Sequence, residues 1–121
     1  MAKSYRDLEV WRLGLDLVET VYRCTAEFPK SETFGLSAQM RRAAVSIPSN
    51  IAEGQARSSS KELLPFLSFS LGSLAELETQ LELANRLGYM QAEVALGANW
   101  ITRQEAPLPS DLHKERPADN Q

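Results

Sequence analysis

Residues 39–54 read Gln39-Met40-Arg41-Arg42-Ala43-Ala44-Val45-Ser46-Ile47-Pro48-Ser49-Asn50-Ile51-Ala52-Glu53-Gly54. The stretch sets a proline inside a helical pattern, an arginine pair near one end and a polar stripe along one side. Leu36, Met40, Ala43/Ala44, Ile47 and Ile51 recur at the spacing of one helical face. Pro48 lacks the amide of an interior helical residue and predicts a kink about one turn back. The apolar spacing crosses the proline without slipping phase. It therefore reads as one kinked helix from near Phe34, closed by Gly54 and the Ser58-Ser59-Ser60 run.

Upstream, Leu8, Trp11, Leu15, Val18 and Tyr22 follow one helical face, which Val10, Leu17, Val21, Cys24 and Phe28 widen. Pro29 stops that helix, so it spans residues 7–28. Downstream, Ser59-Ser60-Lys61-Glu62 fits a capping box, in which the serine bonds the third amide and the glutamate reaches back. A third helix follows with Leu67, Leu71, Leu74, Leu77, Leu81, Ala84 and Leu87 on one face. Pro65 is expected to shorten its start, Gly72 and Ala75 to admit a close neighbour, and Gly88 to end it in left-handed geometry. Residues 91–105 form a thinner fourth pattern through Val94, Ala98 and Ile101, weakened by Gly97. Residues 106–121, with Pro107, Pro109 and Pro117, have little to bury and read as a disordered tail.

Short connections between long helices make neighbours antiparallel. The expected fold is all-α: an up-down-up-down four-helix bundle over residues 1–105 with a short fourth helix, then a flexible tail over residues 106–121. The third helix would span roughly 40 Å and the fourth roughly 22 Å. Part of the seam between the first and third helices should then lack a cover, and another copy or a partner is expected to fill it.

With 121 residues, 43% apolar and 24% charged, the chain has an ordinary composition for one globular domain. A single cysteine, Cys24, forms no internal disulfide and reads as a small core residue. No apolar run reaches the length of a membrane span, and no leader-like segment opens the sequence. A cytoplasmic protein with no membrane partner is expected. Net charge is −3. Residues 7–28 carry two arginines against five acids, and residues 61–87 carry Lys61 and Arg86 against four glutamates. Residues 35–57 set Arg41, Arg42 and Arg57 against Glu53, making the second helix the basic one.

Catalytic chemistry finds little footing. His113 is the one histidine and lies in the expected tail, so no Cys–His dyad or zinc set forms. Glu76, Glu78, Glu82 and Glu93 have no histidine to complete a bundle metal site. No catalytic residue, cofactor, metal or small-molecule substrate is expected, and the chain does not read as an enzyme. The second helix has the more informative surface. Gln39, Arg42, Ser46, Asn50 and Glu53 form a polar stripe, Arg41 lies one step round, and Arg57 continues it four residues after Glu53. Three readings stand open. In the first, Arg41 and Arg42 pair with acids of the first and third helices, and Asn50 satisfies the carbonyl freed by Pro48. In the second, the stripe is a subunit interface. In the third, it contacts phosphates of RNA or DNA.

Together with Phe28-Pro29, Gly35-Leu36 and Gly72-Ser73-Leu74-Ala75-Glu76-Leu77-Glu78-Thr79, the quoted stretch resembles the family of 23S rRNA intervening-sequence proteins. The resemblance covers residues 5–90 and extends to the accessory variability proteins of diversity-generating retroelements. It implies a four-helix bundle assembled as a homo-oligomeric, ring-like pentamer, in a family largely without assigned activity. The accessory variability relatives carry a basic surface, bind nucleic acid and partner a reverse transcriptase. Their resemblance implies that Arg41, Arg42, Arg57 and Lys61 are the positions for weak, sequence-independent phosphate contact. This chain departs from them in being mildly acidic. A non-enzymatic oligomeric scaffold is the expected function, and an accessory nucleic-acid-binding ring is the alternative.

Overall fold

Gly14 and Pro48 set how the first two helices meet. A Cβ on Gly14 would lie 3.1 Å from Pro48 Cβ, so the missing side chain lets the first helix rest on the proline ring. In the computed structural model, which describes residues 4–90, three α-helices carry the fold: α1 (Glu9–Thr25), α2 (Leu36–Gln55) and α3 (Ser60–Arg86). Short 3-10 turns, Tyr5–Asp7 and Lys30–Glu32, precede α1 and α2. No strand occurs among the described residues. The fourth helical pattern at residues 91–105 and the tail at residues 106–121 lie outside them.

α2 runs unbroken through Pro48, as the uninterrupted apolar phase predicts. α2 lies between the other two helices and packs closely on both, while the α1 and α3 backbones stay farther apart among the described residues and contribute side chains to the same core. The end of α1 meets the start of α2 through Arg41 and Tyr22. Ser70 Oγ of α3 donates to the Ile47 carbonyl at 2.9 Å, and Gly54 meets Leu63. Consecutive helices therefore run in opposite directions. Leu17, Met40, Leu77 and Leu81 are sealed at the centre, and Phe28 and Met90 close one end.

α1 turns much of its expected apolar stripe inward, with Leu8, Val10, Trp11, Val18 and Cys24 packed at the edge of the core. Gly14, Leu17, Val21 and Thr25 are buried, whereas Leu15 and Tyr22 are exposed. Both sets satisfy the same helical spacing, and the close seat on Pro48 selects between them. α1 also ends at Thr25, before Phe28, where Thr25 Oγ1 donates to the Val21 carbonyl at 2.7 Å.

α3 begins with the expected cap. Ser59 Oγ accepts from the Glu62 amide at 3.2 Å, and Glu62 Oε1 reaches back to the amide and hydroxyl of Ser58 rather than to Ser59. Pro65 does not shorten the helix, which includes it from Ser60 onward. Gly88 has φ of 79°, and the Tyr89 and Gly88 amides donate to the Ala84 and Asn85 carbonyls, completing a Schellman turn. Two further expectations on this helix are not met among the described residues. Leu87 is exposed, and no atom of the described residues lies within 4 Å of a Cβ built on Gly72; the close contact falls instead at Gly54, whose Cβ would lie 2.9 Å from Phe66 Cβ.

Candidate interaction groove on the second helix

Ala38, Arg42, Val45, Ser49 and Glu53 follow one face of α2 turned away from its buried residues. With Tyr22 from α1 they border an open groove of about 740 Å³. Val45 and Ala38 give it an apolar floor, Arg41 and Arg42 stand toward one end, and Glu53 stands at the other.

The neighbouring arginines have different surroundings. Arg41 Nε donates to Thr25 Oγ1 at 2.7 Å, and Nη2 donates to the Tyr22 carbonyl at 3.2 Å. Its Cζ lies 4.3 Å from the centroid of the Tyr22 ring. Arg41 thus ties α2 to the carboxyl end of α1, where a cation suits the helix dipole. Arg42 is exposed, and no ion pair engages it among the described residues. The expected pairing of both arginines with acids of α1 and α3 is not formed. Two of those acids are used within their own helices: Glu19 pairs with Arg23 at 3.2 Å and Glu82 with Arg86 at 3.0 Å.

The rest of the stripe divides. Ser46 Oγ donates to the Ala43 carbonyl at 3.0 Å and bonds Ser73 Oγ of α3, which turns it toward the interhelical seam. Asn50 Nδ2 donates to the Ser46 carbonyl at 2.8 Å, not to the carbonyl of Ala44 that Pro48 leaves without its helical donor. A side chain two residues past the proline reaches back one turn from its own position, which falls two residues short of that carbonyl. Gln39 is exposed and lies outside the groove lining. Arg57 does not bridge to Glu53; its Cζ sits 4.6 Å from the Phe66 ring centroid on α3. Lys61 is exposed in the first turn of α3. Arg42 and Arg57 are fifteen residues apart, about 22 Å along a helix, so the four cations form two groups rather than one patch.

A second polar cluster escaped the sequence reading. Glu32 Oε1 accepts from the Leu36 amide at 2.9 Å, and Tyr89 Oη donates to Glu32 Oε2 at 2.8 Å. The amide first, then the phenol, holds the Glu32 carboxyl below its ordinary range, and the same bond raises Tyr89. The Phe28 and Tyr89 rings lie 5.4 Å apart beside it. A glutamate one turn ahead of a helix start was the available signal for the cap; its tie to Tyr89, 57 positions away, had none. Cys24 is half-buried against the core, and burial raises its thiol pKa. Among the described residues, no group of three or more His, Cys, Asp or Glu is placed to hold a metal. No helix among them is long and apolar enough to cross a membrane.

An apolar floor between separated charges suits the docking of another surface, and the helices around it define a small all-α, helix-packed protein. The model of the 23S rRNA-intervening sequence protein matches residues 6–99, and the chain belongs to that family. A crystal structure of a protein of unknown function from the S23 ribosomal protein family of Bacteroides thetaiotaomicron VPI-5482 is similar in fold. It is 24% identical, with a TM-score of 0.73 over 82% of this chain and 93% of that one. The curated proteins compared with the chain give no match.

Proposed function

We propose that this family member is a non-enzymatic, homo-oligomeric scaffold in which four-helix bundles assemble into a ring of the pentameric kind. In this reading residues 91–105 supply the short fourth helix against the open side between α1 and α3. The observation that carries the proposal is the apolar surface left in water. Phe69 is 57% exposed and Leu83 47% on α3, Leu87 is 55% exposed at its carboxyl cap, and Phe34 is 94% exposed ahead of α2. Apolar surface concentrated in this way marks a contact with another chain. The engagement of Arg41 with α1 supports a structural use of the basic helix.

Sedimentation equilibrium across micromolar concentrations tests the proposal. A mass several times 13.5 kDa is expected, and a stable species of 13.5 kDa overturns it. The nucleic-acid-binding ring is favoured by one observation, the exposed Arg42, which makes no ion pair among the described residues. Salt-sensitive retention of RNA or DNA that Arg42→Glu abolishes would establish that alternative.

A further inference from the structure

Two of the exposed surfaces match in spacing and in charge. On α3, Phe69, Glu76 and Leu83 recur every seven residues on the side away from buried Leu74 and Leu81. Such residues form a straight stripe about 21 Å long. Phe69 and Leu83 present apolar surface at its ends, and Glu76, exposed between them, makes no ion pair among the described residues. On α2, Arg42 and Ser49 are also seven residues apart, with Val45 between them on the groove floor. Phe34 stands eight residues before Arg42, just ahead of the helix.

We propose that the outer stripe of α3 in one protomer docks antiparallel into the α2 groove of a second copy. The inference rests on the homo-oligomer reading and specifies its contact. Placing Glu76 against Arg42 brings Phe69 over Ser49, where a small side chain leaves room beside Val45. The same register carries Leu83 toward Phe34. Phe69 to Glu76 and Arg42 to Ser49 each span seven helical residues, about 10 Å, while Leu83 runs toward the turn that carries Phe34 ahead of α2. The basic helix then meets an acidic one, which fixes register as well as attraction. α1 is the poorer match: it is acidic too, but Glu19 is held by Arg23 and Leu15 is the less exposed apolar side chain. Engaged in one direction only, two different surfaces make a heterologous contact, which is the kind that closes rings.

Charge reversal in the full-length protein tests the contact, with mass measured by sedimentation over a concentration series and folding checked by circular dichroism. Arg42→Glu and Glu76→Arg are each expected to weaken association by about tenfold or more, and the double variant to return within about threefold of wild type. Phe69→Ser should weaken it without rescue by either charge change. An oligomer whose association none of these substitutions alters overturns the contact and leaves the oligomer reading standing. Single variants that weaken association without mutual rescue overturn the Arg42–Glu76 register. A monomeric wild type overturns both readings.

Discussion

Arg41 directs its guanidinium into α1, where it meets a hydroxyl, a carbonyl and the Tyr22 ring. Arg42, the next residue, projects from the same helix into water. A charged donor serving two acceptors and a ring should contribute measurably, while an unpartnered surface cation should not. Arg41→Ala is expected to lower unfolding free energy by about 1–2 kcal/mol, and Arg42→Ala to change it by less than about 0.5 kcal/mol. Urea denaturation in dilute solution, where association is minimal, measures both.

Glu32 gives a residue-scale pH dependence. Its folded pKa is lowered by the Leu36 amide and then by Tyr89. The carboxylate therefore stabilises the fold above the unfolded pKa of about 4.3, and that contribution fades as pH falls through the lower folded value. Glu32→Gln should shift the urea midpoint downward near neutral pH. The gap from wild type should narrow as pH drops below about 4, and a constant gap would show that ionised Glu32 contributes nothing.

At the scale of elements, two helical glycines in unlike surroundings should respond oppositely to the same methyl group. Alanine is the better helix former by about 1 kcal/mol, which favours replacing glycine wherever space exists. Gly72 has such space in the middle of α3, with no neighbouring atom of the described residues within 4 Å of a new Cβ. Gly54 has none, because Leu63 Cδ1 and Phe66 Cβ would lie 2.6 and 2.9 Å away. Leu63 can turn its methyl aside; Phe66 Cβ is fixed to the α3 backbone. Gly72→Ala should stabilise by about 0.5–1 kcal/mol and Gly54→Ala destabilise by about 1–3 kcal/mol, read as opposite shifts in thermal midpoint.

The same contrast shows what the sequence made legible. Helix positions followed from spacings of three and four, and the Ser59 and Gly88 ends from local chemistry within a few residues. Which part of the broad α1 stripe is sealed did not follow, because Leu15 and Leu17 both belong to acceptable helical faces and Pro48 on another helix chooses between them. Arg57 stacking on Phe66 and Ser46 bonding Ser73 likewise depend on how α3 lies on α2. The basic stripe was visible as composition. Its division into a tethered Arg41, an open Arg42 and a distant Arg57 required the packed helices.

For the whole molecule, charge bears on whether assembly or nucleic-acid contact is the better account of the basic helix. Each chain carries a net charge of −3, so every added subunit increases the repulsion that a polyanion meets. Arg41 is committed to α1, and the proposed contact covers Arg42 in every protomer joined at that face. Arg57 and Lys61 then remain at the α2–α3 turn. Each phosphate neutralised contributes a slope of roughly −0.7 to −0.9 in log affinity against log salt, so a few such cations bind only when salt is low. Structured RNA should therefore fail to co-sediment with the protein at about 150 mM salt. Any retention at about 50 mM should decline steeply as salt rises and disappear in the Arg57→Glu, Lys61→Glu double variant, with oligomer mass unchanged. Retention that survives about 150 mM salt and disappears in Arg42→Glu, while the oligomer stays intact, would instead make the α2 groove a phosphate-binding surface.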